Sequence, residues 1–147
     1  MRIERAETVP YALPFRSPYS TARGTLERRE MLLLRLRTSD GAEGLGEAVP
    51  LSLRGGVDLA TIRDHLDAAA ARLEGLDLSA GGGSDERPLE LAIATVLELA
   101  RPRRMPLPAV AALESALFDL AAQAQGAPLW RALGAERFQA VRCNATL

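Results

Sequence analysis

The sequence contains no lysine, and all 18 of its basic residues are arginine. Arginine stays protonated at any working pH and is a poor general base. Proton transfer by this chain would therefore depend on its single histidine, His65, or on carboxylates. No second histidine or cysteine lies at metal-ligand spacing from His65, so we predict a surface helix residue and no zinc site.

Cysteine and long apolar runs are also scarce. Cys143 is the only cysteine, which excludes an intrachain disulfide, and its apolar neighbours predict a buried structural thiol. No apolar run approaches the roughly 20 residues of a membrane span, and the charged N-terminus is not typical of a signal peptide. The net charge of −1 favours neither nucleic acid nor an anionic membrane. We therefore expect a cytoplasmic protein with neither of these partners.

The N-terminal third has the patterns of three β-strands. The predicted strands are residues 2–13, 29–38 and 42–48, with a polar loop over 14–27 and a hairpin turn at Asp40-Gly41. Pro10 places the first strand at an edge or a bulge. In the third strand, Glu43 and Glu47 share one face, and we predict a structural or solvated face there rather than an acid/base pair. These features predict an antiparallel meander.

The spacing of apolar residues then changes to that of helices. One helix is predicted from the N-cap Asp58 to about Gly75, and others at 88–100, from 108 to about 125, and at 128–133. A lone strand is predicted at 138–147, with apolar side chains on one face and no nearby partner. The fold class is therefore α+β. Because an unpaired apolar strand is a liability, we also expect the chain to be a fragment of a longer protein.

Three segments resemble the muconate-lactonizing subgroup of the enolase superfamily. Residues 44–50, Gly-Leu-Gly-Glu-Ala-Val-Pro, are similar to its Gly-x-Gly-Glu-x-x-Pro motif. Residues 112–121 and 126–134 resemble its last cap helix and its Gly-x-Pro-Leu-x-x-Leu-Leu-Gly signature, with Ala132 replacing a leucine. Residues 141–147 resemble its first barrel strand, and their Asn144-Ala145-Thr146 is similar to o-succinylbenzoate synthases.

The resemblance implies a two-part enzyme. Residues 1–137 would form the N-terminal capping domain, and 138–147 would begin a C-terminal (β/α) barrel as its first strand. Enzymes of this family abstract a proton alpha to a carboxylate at the mouth of the barrel and use Mg²⁺, and in this subgroup the bases are lysines on barrel strands. The resemblance therefore implies no catalytic residue and no metal ligand in this chain. The partners it implies are the chain's own barrel, a small carboxylate substrate and further copies of the chain in a homo-oligomer.

Two cap loops in this family fold over the substrate and set specificity. They correspond to about residues 16–24 and 51–56. The resemblance implies that Ser20, Thr21 and Arg23 face the substrate from the first loop and that Tyr19 supplies an apolar wall. The candidates in the second loop are Ser52 and Arg54. The two arginines are suited to a carboxylate, which guanidinium binds in a fork.

Several functions remain open at this point. The leading expectation is the cap of a lyase like o-succinylbenzoate synthase, which dehydrates its substrate in menaquinone biosynthesis. A dipeptide epimerase or a muconate cycloisomerase would share the same cap. A different class is a standalone, non-catalytic binding or assembly module.

Overall fold

The computed structural model describes residues 1–50, 53, 55–78, 88–101, 104–140 and 142. Within these residues three strands form an antiparallel sheet in the order β1-β2-β3, followed by four helices. The strands are β1 (Ile3–Thr21), β2 (Gly24–Thr38) and β3 (Glu43–Ala48), and the helices are α1 (Leu59–Leu73), α2 (Pro88–Ala100), α3 (Leu107–Ala124) and α4 (Leu129–Ala132). The predicted α+β meander with helices after it is confirmed.

The helix boundaries agree with the sequence signals. Asp58 is the N-cap of α1, where its carboxylate accepts a hydrogen bond of 2.8 Å from the backbone N–H of Thr61. This bond stabilises the ionised carboxylate and lowers the pKa of Asp58. Beyond α3, Gly126 adopts a φ of +61°, a left-handed conformation that suits glycine after a helix.

The predicted terminal strand is not tested over most of its length. Residues 138–140 and 142 have no regular secondary structure, and 141 and 143–147, including Cys143, lie outside the described residues. A strand requires a hydrogen-bonded neighbour, and the three described strands pair only with one another. The barrel strand therefore stays a prediction.

The loop predicted over 14–27 is wrong, because β1 and β2 continue through it. Thr21 pairs with Gly24, so the connecting turn is only Ala22-Arg23. The prolines at 14 and 18 suggested a loop since proline lacks an N–H, but β1 is an edge strand where proline is tolerated. The register shifts between Pro14 and Tyr19, which accommodates this interruption.

The extra length forms a two-stranded arm, which we call the ribbon: residues 14–21 of β1 and 24–30 of β2. The last pair between β2 and β3 is Leu32 with Ala48, so in this stretch the strands pair only with each other. The sheet is thus three strands wide at one end and two at the other.

The core lies between one face of the sheet and the helices. Alternate residues of β2 point inward, and Leu32, Leu34 and Leu36 are fully buried. They pack in one cluster with apolar residues of α1 and α3, including Ile62, Leu66, Leu73, Leu113, Leu117 and Leu120. This cluster fixes the sheet and helices as one body from which the ribbon extends.

The two glycines of the Gly-x-Gly motif allow α3 to lie directly on β3. A Cβ atom at Gly46 would stand 1.8 Å from the carbonyl oxygen of Ala112, and one at Gly44 would stand 2.3 Å from that of Ala116. Ala112 and Ala116 are themselves fully buried. Small residues on both sides therefore permit a helix-to-strand approach that any side chain would prevent.

Helix α3 is the one described helix that is long and apolar enough to cross a membrane by length and composition. It also carries Glu114 and Asp119. Eight of its residues are buried in the structure, among them Leu113, Leu117 and Leu120. Such burial is what the central helix of a globular core shows.

Candidate functional site

The tip of the ribbon is held together by its own hydroxyl groups. The Thr21 hydroxyl donates to the carbonyl oxygen of Gly24 at 3.3 Å and accepts from the backbone N–H of Arg23 at 3.1 Å. The hydroxyls of Ser20 and Thr25 are 2.9 Å apart across the two strands. Ser20 and Thr21, predicted to face a substrate, thus already have hydrogen-bond partners that shape the turn.

Aromatic rings lie behind the tip. Tyr19 is 43% exposed, and its ring stacks on Phe15 with centroids 6.0 Å apart. The guanidinium carbon of Arg29 stands 5.6 Å from the centre of the Phe15 ring. The stack gives the ribbon an apolar surface next to its tip, where an apolar wall is predicted.

Arg23 lies in the turn and is exposed. Among the described residues it forms no ion pair with a carboxylate. Arg28, on the same ribbon, is paired with Glu30 at 2.8 Å. The charge at the tip is therefore available to an anionic ligand, whereas the charge at Arg28 is not.

The second predicted loop meets the first at Leu53. An open depression of about 380 Å³ lies at the tip, lined by Tyr19, Thr21, Ala22, Arg23 and Leu53. A Cβ atom at Gly24 would stand 3.3 Å from Cδ2 of Leu53, so these residues pack together. Ser52 and Arg54 lie outside the described residues, and their predicted role is untested.

Leu53 was not among the predicted site residues, because the loop candidates were chosen mainly for polar side chains. The available signal was an apolar side chain between Ser52 and Arg54 in a loop that follows Pro50. An apolar side chain in a polar loop can pack against a neighbouring element, and Leu53 packs against the ribbon at Gly24.

A second open space separates the ribbon from the body of the domain. Its volume is about 640 Å³, and it is lined by residues 25–30 of β2 together with Pro50, Asp58 and Leu59. The ribbon therefore stands away from the start of α1 along β2. It meets the second loop again at Leu53.

The outer face of the sheet is charged but internally paired. Glu7 accepts a 2.7 Å hydrogen bond from Nε of Arg35, which is the main reason that its pKa lies below the ordinary value. Arg5 also pairs with Glu7 at 2.9 Å. Arg37 pairs with Glu43 at 2.6 Å, so this face offers few free charges.

Glu47 has a structural partner, one of the two predicted alternatives for this face, because the hydroxyl of Tyr11 donates a hydrogen bond to its carboxylate. This bond to a negative group raises the pKa of Tyr11 to about 12. The raised pKa means that the contact stabilises the fold below about pH 10 and that this stabilisation is lost as the pH rises toward about 12.

We expect Glu47→Gln to lower the Tyr11 pKa from about 12 toward the ordinary 10.0, because the acceptor loses its charge. The chain has two tyrosines, so Tyr19→Phe isolates Tyr11 for an absorbance titration of the phenolate. If the titration midpoint of the Tyr11 phenolate were the same in Tyr19→Phe with and without Glu47→Gln, the assigned hydrogen bond would be contradicted.

Metal binding has no support in the described part of the chain. No group of three or more histidine, cysteine, aspartate or glutamate side chains is placed there to hold an ion. The described residues consequently do not fit a magnesium site.

Comparison with known proteins agrees with this geometry. The sequence model of the mandelate racemase / muconate lactonizing enzyme N-terminal domain matches residues 4–134. The N-succinylamino acid racemase of Thermus thermophilus is 39% identical over all of this chain and 37% of its own length. The chain thus spans little more than a third of that relative.

Solved structures show the same fold. The dipeptide epimerase of Methylococcus capsulatus, complexed with Mg and the dipeptide L-Arg-D-Lys, superimposes with a TM-score of 0.74 at 31% identity, over 91% of this chain and 35% of its own. The muconate lactonizing enzyme of Pseudomonas fluorescens, complexed with muconolactone, gives 0.74 at 31% identity, over 90% and 34%.

These relatives are racemases, epimerases and cycloisomerases, and each is about three times as long as the matched region. The family match extends from β1 through α4 and includes the ribbon and both glycines packed on α3. The chain belongs to the family of N-terminal domains of mandelate racemases and muconate lactonizing enzymes, within the enolase superfamily.

Proposed function

We propose that this chain is the capping and substrate-specificity domain of a magnesium-dependent enolase-superfamily enzyme. Residues 1–137 form the cap, and 138–147 begin a barrel that carries the bases and metal ligands. The observation that carries the proposal is the meeting of the ribbon tip with Leu53 around an open depression. This depression contains Arg23, which has no ion-pair partner among the described residues. The magnesium named with the Methylococcus relative supports the metal, which the described residues of this chain do not hold.

The substrate in this proposal is a small carboxylate. The family's chemistry removes a proton alpha to a carboxylate, and a barrel provides the site for it at the carboxyl ends of its strands. Arg23 is suited to a second anionic or carbonyl group of the substrate, and Tyr19 supplies an apolar surface beside it. The cap's own residues thus bind, orient and exclude water, and they take no part in proton transfer.

Three classes of reaction have support from different observations: dehydration, racemisation or epimerisation, and cycloisomerisation. Asn144-Ala145-Thr146 supports dehydration by an o-succinylbenzoate synthase, although these residues lie outside the described part of the chain. Identity of 39% over the whole chain supports racemisation of an N-acylated amino acid, and 31% identity to the Bacillus subtilis L-Ala-D/L-Glu epimerase supports dipeptide epimerisation. A muconate cycloisomerase remains the third member of this set.

The deciding experiment uses the full-length protein with Mg²⁺. Formation of o-succinylbenzoate is followed by absorbance, and racemisation and epimerisation by exchange of the alpha proton in deuterium oxide. We expect turnover of at least one of these carboxylates. If the full-length protein turned over none of them and no muconate, the enzyme proposal would fail and a standalone binding or assembly module would take its place.

We expect residues 1–147 alone to show no turnover with any of these substrates, with or without Mg²⁺. The reason is that this segment has no lysine to act as the base. The assay is the same set of substrates with the isolated segment at the highest soluble concentration. Activity that co-purifies with the segment through two different chromatography steps would contradict the assignment of the bases to a barrel.

We also propose that the protein is cytoplasmic and that it forms a homo-oligomer. Burial of the apolar residues of α3 within the core argues against a membrane-spanning role for this helix. Exposed apolar side chains near the C-terminal end, Leu133 and Phe138, support contact with the barrel or another copy.

A further inference from the structure

Among the described residues, few contacts hold the ribbon in position between its base and its tip. Two-stranded hairpins are marginally stable alone, and this one is paired only with itself beyond Leu32. Its internal bonds at Ser20 and Thr21 and its stack of Phe15 on Tyr19 hold its shape. They do not connect it to the rest of the domain.

The interrupted register offers a place for the ribbon to bend. Residues 15–18 of β1 stand between the pairs Pro14–Arg28 and Tyr19–Leu26, so four residues oppose one. Such a bulge breaks the ladder of hydrogen bonds and bends a strand. On the side facing α1, an open space of about 640 Å³ separates the ribbon from the described residues Pro50, Asp58 and Leu59.

At its tip, in contrast, the ribbon does contact another part of the domain. Apart from the ribbon and its connecting turn, Leu53 is the only described residue that lines the depression. Gly24 adopts a φ of +137°, and the absence of a side chain there lets Leu53 approach to 3.3 Å of the position that Cβ would occupy. A half-buried leucine in this place joins the ribbon to the second loop.

We infer that Leu53 is a positioning residue: its contact at Gly24 latches the ribbon tip to the second loop, so that the two substrate-facing loops move as one unit. The inference rests on the proposed function for its consequence in catalysis. Loss of the latch leaves Arg23 and Tyr19 chemically intact but frees the ribbon to bend at the bulge. Substrate then has to order the tip when it binds, which weakens binding.

The first test measures amide hydrogen exchange in the full-length protein without substrate. We expect Leu53→Ala to speed exchange at residues 19–24 about tenfold, because the packing that holds the tip is removed. Val57→Ala is the matched control, since Val57 lies in the same segment and is 38% exposed. Leu53→Met, which keeps an apolar side chain of similar length, should restore slow exchange.

The second test measures kinetics with whichever carboxylate the full-length protein turns over. We expect Leu53→Ala to raise KM about fivefold with kcat changed less than about twofold, and Leu53→Met to restore KM. Unchanged exchange at 19–24 in Leu53→Ala, or an equal change in Val57→Ala, would overturn the latch whatever the enzyme does. Faster exchange with an unchanged KM would leave the latch standing and reject the proposed role of the tip in binding substrate.

Discussion

Gly46→Ala is expected to lower the free energy of unfolding by about 3 kcal/mol or more, the upper range for overpacking a core. The added methyl would stand 1.8 Å from the carbonyl oxygen of Ala112. That oxygen belongs to the backbone of α3 and cannot rotate away as a side chain would. Relief of the clash requires α3 to move off β3, which opens the core around Leu113 and Leu117.

The measurement is urea unfolding of the 147-residue chain, followed by circular dichroism. Gly41→Ala is the matched control, because Gly41 lies in the adjoining hairpin with φ +84° and nothing within 4 Å of its Cβ position. It tests backbone strain without a clash, which costs about 1–2 kcal/mol. Gly44→Ala, whose Cβ would meet Ala116 and Leu120, should resemble Gly46→Ala. A loss for Gly46→Ala no larger than for Gly41→Ala would refute the close approach of α3.

The same glycines show how much of the fold the sequence predicts. The order of strands and helices was predictable because alternation in β2 and three-to-four-residue spacing in the helices are local patterns. The Gly-x-Gly motif could be matched to a family, but its purpose could not be read from the strand alone. The reason for it lies at Ala112 and Ala116, more than 60 residues away in sequence and in contact only after folding.

The ribbon shows the opposite case, where local signals misled. Pro14 and Pro18 are typical of loops, and although Pro10 indicated an edge or a bulge, no local pattern shows that the same strand continues along the edge of the sheet to Thr21. That fact depends on the order of strands in the sheet, which is a tertiary property. The predicted site residues between 19 and 23 consequently lie at a hydrogen-bonded turn between paired strands rather than in a loop. The apolar character of Leu53 was visible in the sequence, but its contact with the ribbon became visible only in the structure.

Arg23→Gln in the full-length protein is expected to lower kcat/KM about 10- to 100-fold, mostly through KM, because a charged hydrogen bond is worth about 1.5–3 kcal/mol. Arg23 lies at the ribbon tip and has no carboxylate partner among the described residues. None of these residues therefore competes with a substrate anion for the Arg23 guanidinium. Arg23→Lys keeps the charge but not the fork, and should recover part of the loss.

Arg28→Gln separates this effect from the general charge of the ribbon. Arg28 is exposed on the same arm but already bonded to Glu30, with Nε at 3.1 Å and a terminal nitrogen at 2.8 Å. Its removal takes away the same formal charge and should change kcat/KM less than about twofold, since exposed ion pairs contribute little. Equal losses of kcat/KM in Arg23→Gln and Arg28→Gln would mean that the net charge of the ribbon, and not a contact of Arg23, favours the substrate. A loss confined to Arg23 would mean that the guanidinium at the tip contacts the substrate, which the lysine variant then tests for geometry.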